Sequence, residues 1–409
     1  MRVETERKRD LPPAGWRRLR LADAGQWRSG GTPSTSNDAY WGGDIPWISG
    51  ASMKDFHVTD AARRLTLLGA KNGSRLAEPG TTLFVVRGMS LKSEFRIGVA
   101  ERQVAFGQDV KALIPADGID PHFLAYAIRV LTPEILSMVE ETSHGTGRLD
   151  TARLKELEIG VPSMDEQRRI VAVHTAFERR IGALERDLGK LDALRRGLRD
   201  GGVSGPLTQL GEVLVEKPKN GYSPSEVQEW TGLLALGLGC LTSEGFAPRQ
   251  LKQIPNSPVA RRFRLADGDL LMSRANTREL VGLAGRYQDV GQSCIYPDLM
   301  MRLRPDEQRC LSAYLEMALA SSSVRAAVQA EARGTSESMV KISAGVVEAL
   351  HIPLPSLERQ REVVEASALL DDRIVKQQAV IAKLRTVQQG VCEDLLGGQR
   401  APEPTSSVS

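Results

Sequence analysis

Fifteen residues that occur twice constrain this chain more than any other feature. Leu157 to Val171 reads LEIGVPSMDEQRRIV and Leu350 to Val364 reads LHIPLPSLERQREVV, an ungapped match at an offset of 193 residues. The Pro-Ser pair, the Gln-Arg pair and the apolar positions coincide, so one structural plan is used twice and the fold must accommodate both copies. Upstream, His144-Gly145-Thr146 and Arg333-Gly334-Thr335 lead through polar residues to Arg148-Leu149 and Lys341-Ile342, which starts the repeat before the helix.

Behind each Pro-Ser pair lies a proline-free helical pattern, with Asp165 or Glu358 near its start where negative charge suits a helix N-terminus. In the first, Phe177, Ile181, Leu184, Leu188, Leu191 and Leu198 alternate four and three apart, with Arg195 breaking the stripe. The second gives Leu370, Ile374, Gln377, Ile381, Leu384, Gln388, Val391 and Leu395. Either stripe alone also fits an amphipathic core helix, but two in register across a repeat predict a heptad seam at which the helices pack together. Phe177, Ile181, Leu184, Leu188, Leu191, Leu370, Ile374, Ile381 and Leu384 are the candidate interface residues.

Each helix follows some 150 mixed residues with short β-like runs such as 82–86 and 269–272, between glycines, prolines and asparagines. At 409 residues, 41% hydrophobic and 26% charged, the chain has the composition of a globular protein of several folding units. The two mixed segments share weaker matches: 79–87 ending in Arg87 against 267–274 ending in Arg274, and 97–99 against 281–283. The expected class is α+β. It comprises an N-terminal arm at 1–15, a mixed α/β domain at 16–162, a helix at 163–200, a linker at 201–206, a second mixed domain at 207–355, a helix at 356–396 and a flexible tail at 397–409.

Chain length then decides how the helices run. A helix of about 33 residues is about 50 Å long, whereas a six-residue linker reaches only about 20 Å. Parallel helices would need a return path of the whole helix length; antiparallel helices need none. The expectation is a pseudo-two-fold molecule with a domain at each end of an antiparallel coiled coil. Duplex DNA, whose grooves recur every 34 to 36 Å or so, is a target with matching symmetry. Two diverged domains would read two different half-sites around an unread middle.

The segment Arg28-Ser29-Gly30-Gly31-Thr32-Pro33, followed by Tyr40-Trp41-Gly42-Gly43-Asp44-Ile45-Pro46-Trp47, resembles the opening of target-recognition domains in specificity subunits of type I restriction-modification systems. With the Pro-Ser/x-x-Gln helix starts and the tandem arrangement, the resemblance covers roughly residues 16–396. It implies a non-catalytic subunit that reads double-stranded DNA and assembles with two adenine-methyltransferase subunits and two ATP-driven restriction/translocase subunits; the unpaired cysteine spacing points to a reducing cytoplasm. S-adenosylmethionine, ATP and magnesium are then expected on those partners, with no cofactor in this chain. The second domain departs from the pattern, because Lys219-Asn220-Gly221-Tyr222-Ser223 is only a faint echo of the Gly-Gly-Thr-Pro opening.

The rest of the sequence fits such a division of labour. It has no Asn-Pro-Pro-aromatic tetrapeptide for adenine methylation and no Gly-x-x-x-x-Gly-Lys-Ser/Thr phosphate loop. Ser338 and Lys341 have the Ser-x-x-Lys spacing of penicillin-binding enzymes without the companion motifs. Gly237 and Gly239 lack the third glycine of a dinucleotide loop and read as a tight turn. Four cysteines (Cys240, Cys294, Cys310, Cys392) form no Cys-x-x-Cys pair, and five histidines are scattered, so no metal site is expected. Nor is any stretch apolar enough to predict a membrane span. With 54 basic against 51 acidic residues, any DNA-binding surface has to be local.

Candidate DNA contacts are loop residues bordering the strand-like runs: Lys54, Arg87, Ser90, Lys92 and Arg96 in the first domain, and Arg249, Lys252, Arg274, Asn276, Thr277 and Arg278 in the second. Arginine can pair bidentately with guanine and asparagine with adenine, while lysine and serine more often hold phosphate. Thr146, Arg148, Thr335, Ser336 and Lys341 join them from the loops before each helix, where a pure turn role fits equally well. The competing reading is a two-headed coiled-coil scaffold that binds proteins; its affinity for duplex DNA would show little salt dependence.

Overall fold

A computed structural model describes residues 15–143, 145–334, 337 and 339–397. His144, Thr335, Ser336, Ser338, nearly all of the expected arm and the tail beyond Gly397 lie outside the described residues. Two compact units emerge, one of residues 1–183 with 380–409 and one of residues 184–379. Each therefore contains one mixed domain and a stretch of both long helices.

The first unit is built on a five-stranded sheet in the order Gly25–Ser29, Val110–Pro115, Thr82–Val85, Ile97–Ala100, His57–Val58. Alternation of side chains explains why the central strand is buried throughout. Phe84 enters one core with Leu113, Phe123 and Ile128, whereas Leu83 and Val85 enter another with Ile48, Val104 and Phe106. Each fully buried side chain of this kind contributes about 1.5–3 kcal/mol. Helix Pro121–Val130 covers the first face, and its start is set by Pro121 in the first turn and by Asp120, whose carboxylate accepts from the His122 and Phe123 amides.

The second unit repeats this plan with a four-stranded sheet, Lys219–Asn220, Met300–Leu303, Leu270–Ser273, Ala284–Arg286. Again the central strand divides its residues, Leu270 and Met272 to one core and Leu271 to another. Both domains are closed by pairing their first and last strands, Arg17–Arg20 with Glu158–Val161 and Leu207–Gln209 with His351–Pro353.

The recurrent Pro-Ser…Gln signature has a physical basis. Ser163 and Ser356 accept from the Glu166 and Arg359 amides at the helix starts. Gln167, fully buried, donates to the Gly118 and Pro162 carbonyls and accepts from the Asp120 amide. Gln360, equally buried, donates to the Arg309 and Pro355 carbonyls and accepts from the Leu311 amide. One uncharged amide thus ties each helix start to a loop of its own domain.

The helices are Met164–Gly201 and Leu357–Gly397. Of the expected seam residues, Ile181, Leu191, Ile374 and Ile381 are buried and Phe177, Leu184, Leu188, Leu370 and Leu384 half-buried. Inside the second unit the helix segments run antiparallel: Arg195 reaches Asp371, and the Gln377 amide, a polar residue in the seam, donates to the Leu184 carbonyl. Inside the first unit, His174 meets Cys392 at 3.4 Å. No described helix is long and apolar enough to cross a membrane.

Two expectations need correction. Residues 201–206 are not a free linker, because the Gly202 amide still bonds Leu198 and Val203 is buried in the core of the second unit. The pairing of Arg87 with Arg274 is out of register by one residue. Val86 bonds Asp109 and Leu149 through its backbone as Arg274 bonds Leu299 and Ile342, so Ala275 is the counterpart of Arg87. In a strand, one residue is the difference between two faces.

Candidate nucleic-acid interface

In each unit some of the candidate residues, Arg87 and Arg148 in the first and Asn276 and Lys341 in the second, meet on a two-residue strand pair that extends beyond the main sheet. Arg87–Gly88 pairs with Gly147–Arg148, which pairs in turn with Glu140–Glu141. In the second unit Ala275–Asn276 pairs with Val340–Lys341, and Arg333 bridges to Lys341. The equivalent cross-strand rows are therefore Arg87, Arg148, Glu140 and Ala275, Lys341, Arg333. The rows share a site and differ in charge.

Arg87 and Arg148 lie directly opposite one another, both exposed, and neither forms an ion pair among the described residues. Two like charges facing across a strand pair cost some tenths of a kcal/mol, and an anion between them removes that repulsion. Beside them, Lys92 pairs with Glu141 at 2.7 Å, and the Thr146 hydroxyl shares a hydrogen bond with Thr142. Ser90 opens the short helical turn that carries Lys92. Arg96 is committed elsewhere, to Glu94 and to the Gly50 carbonyl, and Lys54 stands exposed in the loop after strand Trp41–Ile48.

In the second unit Arg274 is half-buried beside the pair and Lys341 is exposed on it. Asn276 accepts the Thr277 amide through its side chain, leaving its NH2 group for another acceptor. Arg278 is a structural clasp: its guanidinium holds both Glu337 carboxylate oxygens and the Gln329 and Ala332 carbonyls. This pairing raises the pKa of Arg278 and lowers that of Glu337, the shared hydrogen bond being the leading cause in both. Arg249 and Lys252 lie apart from the strand pair, on and before strand Leu251–Gln253, with Lys252 3.4 Å from Glu226.

The Gly-Gly-Thr-Pro opening and its faint echo prove to be the same feature. A Cβ on Gly30 would lie 2.2 Å from the Gly107 carbonyl oxygen, and one on Gly221 2.1 Å from that of Tyr296. Both glycines let the edge strand pass directly over the backbone of a neighbouring one. Sequence reasoning missed Arg63, whose guanidinium sits 3.7 Å above the Trp41 ring and 5.2 Å from Trp47. A lone arginine some 20 residues from its tryptophan carries no periodicity that would single it out.

The profile described as "Type I restriction modification DNA specificity domain" matches residues 13–191. Residues 13–191 are thus similar to the DNA specificity domain of type I restriction-modification systems. The chain is 30% identical over 172 residues to the MjaIX specificity subunit of Methanocaldococcus jannaschii, covering 41% of this chain and 38% of that one. It is 28% identical over 178 residues to the EcoR124I/EcoR124II specificity subunit of Escherichia coli, covering 43% and 44%. The matches thus span about two fifths of these curated relatives. Solved structures extend the likeness in fold. The type I system S subunit from M. genitalium has a TM-score of 0.54 at 14% identity, covering 93% of this chain and 96% of that one. A chain from a structure on complex assembly and conformational transition of the type I system has a TM-score of 0.60 at 17% identity, covering 94% and 98%. The specificity domain of the first unit and its structural repeat in the second thus share one fold.

Proposed function

We propose that the chain is the non-catalytic, sequence-reading subunit of a type I restriction-modification complex, with each unit reading one half of a bipartite, asymmetric DNA site. The observation that carries this reading is the pair of equivalent strand rows, Arg87–Arg148–Glu140 and Ala275–Lys341–Arg333. One fold places an exposed Arg87 in one unit where the other has a buried Ala275, so the two rows expose different charged groups, as two half-sites of different sequence require. In this reading the antiparallel seam is a ruler that sets the unread spacer. Two methyltransferase subunits and two restriction/translocase subunits bring S-adenosylmethionine, ATP and magnesium chemistry to the site, in the cytoplasm.

Genome-wide mapping of N6-methyladenine in a host carrying this gene and its methyltransferase tests the reading. The expected result is one two-part, non-palindromic methylated motif that disappears when the gene is deleted; methylation independent of the gene would end it. One heptad added to both helices should lengthen the spacer and leave both half-sites unchanged. A protein-binding scaffold would instead show duplex affinity that hardly responds to salt.

A further inference from the structure

The fold brings together two histidines that lie far apart in the chain. His57 occupies a two-residue strand at the sheet edge, parallel to Ile97–Ala100; Glu101 follows that neighbouring strand directly, and its amide bonds the Val58 carbonyl. His122 lies in the first turn of helix Pro121–Val130. One oxygen of Glu101 is 2.6 Å from His57 Nδ1 and 2.9 Å from His122 Nε2, and the three ligand atoms all lie within 4.8 Å of one another. The other ring nitrogen of His57, Nε2, is 3.0 Å from Glu178 Oε2, which also accepts from the Tyr126 hydroxyl at 3.1 Å.

We propose that His57 Nδ1, Glu101 and His122 Nε2 form a binding site for one divalent transition-metal ion of the zinc class, with water completing the coordination. Two imidazoles and one carboxylate are the donor set that such an ion takes at an open site. The surroundings strengthen the assignment. A metal-bound histidine commonly donates its other N–H to a carboxylate that is itself hydrogen-bonded, and His57, Glu178 and Tyr126 are arranged in that order. Tetrahedral ligation at about 2.1 Å separates donor atoms by roughly 3.4 Å, so side-chain movements of less than about 1 Å open the cluster enough to admit the ion. All three ligands are partly exposed, with side-chain accessibilities of 44%, 33% and 29%, which gives the ion a way in. Bound there, it would join the sheet edge to the covering helix, and through Glu178 to the first long helix, all within the first unit.

Zinc chloride titrated calorimetrically into chelator-treated full chain tests this. One ion per chain is expected, with binding lost in His57→Asn and His122→Asn variants whose circular dichroism matches the wild type. Glu178→Gln should retain the stoichiometry and weaken affinity by about 10–100-fold. Cobalt(II) should give a visible d–d spectrum without a thiolate charge-transfer band, which distinguishes this site from Cys240, Cys294, Cys310 and Cys392. The proposal fails if zinc does not bind in the micromolar range, if both histidine variants bind it as the wild type does, or if the cobalt spectrum shows thiolate ligation.

Discussion

Replacing Gln167 with methionine tests why the helix starts recur. Methionine fills a similar volume, so the apolar packing survives, but the Gly118 and Pro162 carbonyls and the Asp120 amide all lose their partner. The side chain is fully buried, so water cannot readily substitute. Losing three hydrogen bonds at about 1 kcal/mol each, with some of the freed groups left unsatisfied, destabilises the first unit by about 3–5 kcal/mol. For a unit of roughly 200 residues that corresponds to a fall in Tm of about 6–20 °C. Thermal unfolding followed by circular dichroism, with cleavage at sites in the first unit by limited proteolysis as a second readout, measures it. Gln167→Glu should be at least as damaging, because a carboxylate keeps the acceptor but points no donor at two carbonyls. If the methionine variant unfolds within about 2 °C of the wild type, the hydrogen bonds are not what makes glutamine recur at this position, and the argument for Gln360 falls with it.

Four further outcomes follow from the same reasoning. Arg87→Ala and Arg148→Ala should each weaken binding to duplex DNA and flatten the salt dependence by about one unit of slope, as fluorescence anisotropy at several salt concentrations would show; an unchanged slope removes them from the interface. Arg278→Ala, by contrast, should lower the unfolding temperature of the chain through loss of its clasp on Glu337, Gln329 and Ala332, and a normal melting curve with a changed half-site would reverse that assignment. Gly221→Ala places a methyl 2.1 Å from the Tyr296 carbonyl oxygen, so the second unit should be destabilised by some kcal/mol in chemical denaturation, whereas Gly189→Ala on the helix surface should not be. Burial lowers the pKa of His174 to about 4, so below about pH 6.5 the unfolded chain takes up a proton that the folded one refuses. That part of the stability is complete above pH 6.5 and is lost as pH falls toward 4. His174→Phe, which keeps the stacking on Tyr126, should gain about 2–3 kcal/mol relative to wild type between pH 7 and pH 4.5, and parallel pH profiles would contradict this.

What could be read directly from the sequence was whatever repeats with a period. The helix seam is legible because Ile181, Leu188 and Leu191 recur at the spacing of a helical face, and again at Ile374, Ile381 and Leu384. The strands 82–85 and 270–273 are legible as short apolar runs, although nothing in such a run tells which of its two faces meets which core. Register was the weak point: without neighbours to pair against, Arg87 and Arg274 align by eye, and only backbone hydrogen bonds reveal the single-residue shift. Side-chain convergence is harder still. The ring of Trp41 under Arg63 arises from strand pairing, and the nearness of His57 to His122 from a helix packed on a sheet edge, and such long-range contacts leave no local signature. Gly221 shows the reverse case, a faint motif that becomes intelligible once the carbonyl pressing on it is known.

The paired glutamines also bear on how such a chain can change over time. Glutamate lacks the donor, asparagine lacks the reach, and lysine cannot accept, so few substitutions can hold two carbonyls and an amide in the same grip. The row where Arg87 in one copy corresponds to Ala275 in the other lies outside that grip. A chain built this way can vary at that row while the start of each long helix stays tied to a loop of its own domain.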